Sequence, residues 1–218
     1  MCAGWDYTAR MRIFFTLILP AIVCGLAGGF LLGRDFSAGT GAPAAQPLQT
    51  PTFHDMRVNP AHDYVGLIDA DHPDIVRKAR ELGSVEEAYR FVSKEVRFVP
   101  FAPPGPVDKT LVYRTGSCLG KAALLGSLYR AMGMPSDDIR LVMGLVMTPN
   151  GPADHVWLDI EHRGGCLQQD PSGMLGTFEF NEFPGTRYVD THVIKESFCF
   201  NDTDFAIVSQ LNRYRGQR

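Results

Sequence analysis

The sequence predicts an α+β fold in which helices come first and antiparallel strands follow. Three observations carry this. Two amphipathic helical patterns occupy 73–82 and 85–96, an almost wholly apolar helix opens at Cys118, and 155–161 alternates strictly between apolar and polar residues.

The chain opens with Arg10 and Arg12, followed by 21 residues without a charge (13–33) and then Arg34-Asp35. That run is long enough for a tilted membrane-spanning helix, and positive charge on its N-terminal side favours N-in, C-out insertion. The expected organisation is a cytoplasmic N-terminus at 1–12 and a transmembrane signal anchor at 13–33, with a cleaved signal peptide as the alternative. Residues 34–52, uncharged from 37 on and built of small residues with Pro and Gly, read as a flexible linker. The folded domain is expected over 53–218, outside the cytoplasm, and in the periplasm if the source is a Gram-negative bacterium.

Within 73–82, Ile75, Val76, Ala79 and Leu82 share a helical face and Gly83 follows as a stop. Ser84 and Glu87 form a capping box for the next helix, which buries Ala88, Phe91, Val92 and Val96. Four prolines at 100, 103, 104 and 106 call for an irregular loop, and 109–114 reads as extended. Leu119, Ala122, Ala123, Leu125, Leu128, Tyr129 and Met132 leave the Cys118 helix only a narrow strip for Lys121, Ser127 and Arg130, up to Gly133. A helix apolar almost all round is a central, buried one. A strand is expected at 138–147, a turn cluster at 148–154, the alternating strand at 155–161, a turn at 162–165 and a returning strand at 166–170. Further strands are expected beyond Met174, with a short helix starting at the 201–204 cap cluster.

The net charge of −3, from 21 basic and 24 acidic residues, gives no reason to expect nucleic acid as a partner. Five cysteines (Cys2, Cys24, Cys118, Cys166 and Cys199) show no CxxC and no Cys/His zinc spacing. A Cys166–Cys199 disulfide is one option in an oxidising compartment.

Cys118 stands at a helix start, where unpaired N–H groups and the positive end of the dipole favour a thiolate. Of the six histidines, only His155 falls where it helps that thiol. It shares a strand face with Trp157, Asp159 and Glu161, opposite Val156, Leu158 and Ile160. If the turn at 162–165 pairs Glu161 with Cys166, then Trp157 faces Asp170 and His155 is Asp170's diagonal neighbour, about 7–8 Å away at the backbone. A carboxylate there orients the imidazole and leaves its other nitrogen for the thiol. Cysteine, histidine and aspartate so placed form the activated-nucleophile arrangement of acyl transfer. Taken one by one, Cys118 and Trp157 also suit a packed core, and Asp170 before Pro171 also suits a turn.

The runs RTGSCLGKAALLGSLYRAMGMPSDDIRLVMG, DHVWLDIE and QQDPSG resemble the core of the transglutaminase-like superfamily. Its pattern is a Gly-x-Cys turn opening a long apolar helix, a His-[AV]-Trp strand, and an Asp-Pro closing the next strand. The resemblance implies a papain-like architecture: a central helix packed on an antiparallel sheet, with Cys118 as nucleophile, His155 as base and Asp170 as orienting carboxylate. Calcium-dependent periplasmic proteases similar to this superfamily carry acidic residues just after the cysteine. Here Leu119-Gly120-Lys121 stands there, so no calcium, other metal or cofactor is expected. The superfamily holds crosslinking enzymes, peptidases, amidases and inactive members. The expectation is a cysteine peptidase or amidase acting on a protein or peptide of the cell envelope. The alternatives are a crosslinking transglutaminase and a non-catalytic scaffold. The backbone N–H of Cys118 is the natural first oxyanion donor, and Tyr113, Gln169 or the 97–117 loop are candidates for a second.

Overall fold

The computed structural model describes residues 63–208 except 101, 103 and 104. The expected N-terminus at 1–12, the anchor at 13–33 and the linker at 34–52 lie outside the described residues. Among the described residues, no helix is long and apolar enough to cross a membrane.

Two helices open the domain where the periodicity places them. Helix α1 (Pro73–Leu82) begins with a proline, whose missing N–H costs nothing at a helix start, and ends at Gly83 with φ +75°. The His72 ring accepts a hydrogen bond from Asp74 N–H and caps it. Helix α2 (Val85–Glu95) is capped by Ser84, which accepts from Glu87 N–H at 3.2 Å. Strand β1 (Arg97–Phe98) then pairs in parallel with β2 (Thr115–Gly116), just ahead of the cysteine turn.

Between them lies α3 (Val107–Tyr113), a helix where an extended segment was expected. The Pro-rich stretch hides its start. Pro106 precedes the first turn, Asp108 sits favourably within it, and Val107 and Thr110 are buried at helical spacing.

Helix α4 (Cys118–Ala131) is the centre of the molecule, and every residue from Leu119 to Tyr129 is buried. The expected polar strip is absent, because Lys121 and Ser127 are 1% and 0% exposed. Ser127 satisfies itself by donating to Ala123 O at 2.8 Å and accepting from Asp69 N–H. Helices α1, α2 and α3 surround α4 on one side, and one face of the sheet closes the other.

The six-stranded sheet has the order β6-β5-β4-β3-β7-β8, all antiparallel. Strands β3 (Ile139–Thr148), β4 (Gly151–His162), β5 (Gly165–Gln169) and β6 (Phe183–Pro184) run as a meander. Helix α5 (Arg187–His192) then carries the chain back across, so that β7 (Val193–Phe200) and β8 (Phe205–Ile207) extend the other side of β3. The turn cluster expected at 148–154 is mostly strand, because a tight Asn150-Gly151 turn leaves Gly151 onward free to pair. No helix forms at 201–204. The Asn201 side chain accepts from Thr203 and Asp204 N–H groups and folds a hairpin turn instead.

Leu141, Met143, Val156, Leu158 and Ile160 face α4 in the main core. Val142, Val146 and Trp157 face the other way, beneath α5, with Tyr188 and Phe183 over them. Cys166 on β5 and Cys199 on β7 are not joined in a disulfide. Two strands separate them, roughly 14 Å at about 4.8 Å per strand, too far for a disulfide.

Candidate active site

The β4–β5 hairpin has the register that places His155 beside Asp170. Glu161 pairs with Cys166, Ile160 with Leu167 and Leu158 with Gln169, so Asp170 leaves the end of β5 diagonal to His155. Both side chains are fully buried, and His155 Nε2 meets Asp170 Oδ2 at 2.9 Å. Across the sheet His155 lies opposite Gly144 of β3. An added Cβ at Gly144 would stand 2.2 Å from Lys195 O and 3.1 Å from Glu196 Cα, so only glycine lets β7 approach this closely at its bulge.

Asp170 is held at both oxygens. Oδ1 accepts from Ser172 N–H at 2.9 Å, and Oδ2 also accepts from Tyr188 Oη at 3.0 Å. Tyr89 Oη donates to the Asp170 carbonyl at 3.3 Å. Burial pushes both phenols up, so they stay protonated donors. Burial alone would also raise Asp170, but the His155 charge and the hydrogen bonds from His155 and Ser172 outweigh it and hold the carboxyl below its usual range. For His155, burial works against the charged form. The Asp170 charge and hydrogen bond, with Cys118 as a further contributor, overcome it and raise the imidazolium to about 9. With Nε2 committed to Asp170, Nδ1 is the nitrogen left for the thiol. It is buried and bonds no nitrogen or oxygen among the described residues, and the ring lies within reach of the Cys118 thiol.

Cys118 is the first residue of α4, half-buried, behind a Ser117 N-cap whose hydroxyl accepts from Gly120 N–H. The first intrahelical bond is Lys121 N–H to Ser117 O at 2.9 Å, so the N–H groups of Cys118 and Leu119 lie ahead of the helical ladder. They are positioned to face a developing negative charge. Of the side chains named as second oxyanion donors, Gln169 is already committed. Its Oε1 accepts from Tyr129 Oη at 2.8 Å and its Nε2 donates to Phe180 O at 3.0 Å. Tyr113 ends α3 and is largely exposed.

Two side chains around this constellation escaped sequence reasoning. Tyr188 lies 18 residues beyond Asp170, on a short helix with no periodic signal. Lys121 falls in the narrow polar strip that the sequence leaves on this helix. A charged residue three positions into an otherwise apolar helix was the available clue. His162, in the β4–β5 turn region, sits 3.5 Å from Glu86 and edge-on to Phe180. Trp157 is core, packed against Tyr188.

Solved structures similar to this chain include calcium-bound LapG from Legionella pneumophila, at 14% identity over 62% of this chain and 75% of that one, TM-score 0.44. EGTA-treated LapG gives 14% identity over 63% and 74%, TM-score 0.44. A candidate cysteine protease from Cytophaga hutchinsonii gives 18% identity over 62% and 49%, TM-score 0.41. In the present chain the turn after Cys118 offers Lys121, itself a cation, and a calcium site at that turn does not fit. No curated protein matches the chain. Residues 74–171 match the model of the transglutaminase-like superfamily core, a span that includes Cys118, His155 and Asp170, and the chain thus carries a transglutaminase-like superfamily domain.

Proposed function

We propose that this domain is a thiol acyl-transfer enzyme acting on peptide or amide bonds, held outside the cytoplasm by the segment at 13–33. The observation that carries the reading is the buried His155–Asp170 pair, with the cysteine that opens α4 acting on the same imidazole. Cys118 gives its proton to His155 Nδ1, and the thiolate sulfur attacks the carbonyl carbon. The oxyanion is met by the N–H at the helix start. The C–N bond then breaks, the amine leaves with the proton from His155, and a thioester remains on Cys118. Water, deprotonated by His155, cleaves the thioester and releases the acid. Asp170 keeps the Nε2 proton on the ring and stabilises the imidazolium throughout. Hydrolysis is favoured over transfer to an amine because water is the default acceptor. The substrate class is a protein or peptide of the cell envelope.

Trapping the thioester tests this. Wild type incubated with envelope extract and quenched in acid should carry a peptide adduct on Cys118 by mass spectrometry, and Cys118→Ala should carry none. Iodoacetamide should also alkylate Cys118 below about pH 7, where an ordinary thiol near ~8.5 is protonated. An ordinary alkylation profile with no adduct defeats the proposal. N-terminal sequencing of the membrane fraction tests the anchor: a mature chain beginning after residue 33 replaces it with a cleaved signal.

A further inference from the structure

A lysine in the middle of a buried helix demands an explanation, because an ammonium taken out of water is costly unless something receives it. Lys121 is 1% exposed. It sits one turn after Cys118, and its Nζ donates to Ser172 O at 3.1 Å and to Ser93 O at 3.5 Å. Both acceptors are backbone carbonyls. The one charged group acting on it is Asp170. Lys121 therefore joins three pieces of the molecule: the nucleophile's helix α4, the turn after β5 that carries Asp170, and the C-terminal part of α2. Ser172, the residue it holds, is also the one whose N–H binds Asp170 Oδ1, and its hydroxyl lies 3.5 Å from His155 Nε2.

We propose that Lys121 is a positioning residue of this site: it clamps the Asp170–Ser172 turn to the nucleophile's helix and keeps a fixed positive charge beside Asp170. The proposal rests on the acyl-transfer reading above. The charged and titratable groups around Asp170 are His155 from β4, Tyr89 from α2, Tyr188 from α5, and Lys121 with Cys118 from α4. Among these Lys121 is the one cation that is not itself the base. Its charge therefore persists while His155 gains and loses a proton. Burial lowers Lys121 to about 8 against the pull of Asp170, so the charge is in place at neutral pH and is lost a little above it.

The experiment needs no substrate. Rates of Cys118 alkylation by iodoacetamide are measured from pH 4 to 10 for wild type, Lys121→Met, Lys121→Gln and Lys121→Arg, with thermal melts alongside. Loss of the clamp should loosen the His155–Asp170 pair that receives the Cys118 proton, and Cys118 alkylation below about pH 7 should slow several-fold. The wild-type and Lys121→Met curves should converge above about pH 8, where wild type loses the same charge. Lys121→Arg, which keeps the charge, should hold the wild-type rate. A purely structural lysine would alter the melts and leave the rate in place. A Lys121→Met curve superimposable on wild type overturns the proposal. If Lys121→Met does not fold, Lys121→Gln, which keeps a donor and loses the charge, decides on the same criterion. A wild type with ordinary thiol behaviour overturns the acyl-transfer reading itself. An acid-shifted wild type with equally reactive variants overturns only the role given to Lys121.

Discussion

The imidazole of His155 has two chemically distinct sides, and the surroundings assign them. Nε2 belongs to Asp170 at 2.9 Å, and Asp170 in turn is fixed by Ser172 and Tyr188. Asp170→Asn replaces an acceptor with an amide and no longer holds the proton on Nε2. Turnover should fall by roughly 10³-fold or more, with a small change in melting temperature, measured on whatever substrate the adduct experiment identifies. Tyr188→Phe removes one donor to the same oxygen and leaves the ring packing intact. Loss of one hydrogen bond to a charged acceptor is worth about 1.5–3 kcal/mol, so roughly a 10- to 150-fold drop in kcat with little change in KM is expected. Cys118, His155 and Asp170 were legible in the sequence because each carries a local mark: a Gly-x-Cys turn, a strand alternation and an Asp-Pro. Tyr188 carries no such mark. Its place is fixed by the return of the chain across the sheet, and that crossing leaves no periodic trace.

Among the elements, α1, α2, α4 and the β4–β5 hairpin follow from pattern alone, because a repeating apolar face or a four-residue turn specifies them. Helix α3 does not, since seven residues behind a proline run offer barely two turns of period. The bulge between β3 and β7 is equally silent, because its cause is a backbone approach. Gly144 is the residue that permits it. Gly144→Ala would force Lys195 O and the β7 backbone aside, and overpacking of this kind costs about 1–3 kcal/mol. A melting temperature lower by roughly 2–12 °C should follow in calorimetry. Because Gly144 pairs with His155, activity should fall further than stability alone explains.

The whole domain carries buried ionisable groups whose linkage can be read by sign. Burial and the charge of Glu196 push Asp159 up to about 7, against the hydrogen bond from Gln168 at 3.0 Å. A carboxyl raised in the fold contributes stability below its ordinary value and loses it as pH rises through about 7. His155, raised to about 9, likewise contributes most at or below about pH 6.5 and loses it as pH rises through about 9. Lys121, lowered to about 8, works in the opposite sense above that pH. Melting temperature should therefore decline from about pH 4 to about pH 9, the lower part through Asp159 and the upper part through His155. Asp159→Asn, which keeps an oxygen for Gln168, should flatten the part of that decline between about pH 4 and 7 and be the more stable protein at pH 8. Parallel declines in both proteins would refute this assignment.

The division of the site between a helix layer and a sheet layer also bears on how the molecule comes into being. His155 and Asp170 are 15 residues apart across one tight hairpin, a short loop that closes at small entropic cost. Cys118 reaches them only when α4 docks on the sheet, a contact of longer range that is slower to form. On the proposed mechanism, any partly folded form that has the hairpin without the docked helix holds the base and its orienting carboxylate but no nucleophile. Under that mechanism, chemical competence in this chain reports completed folding.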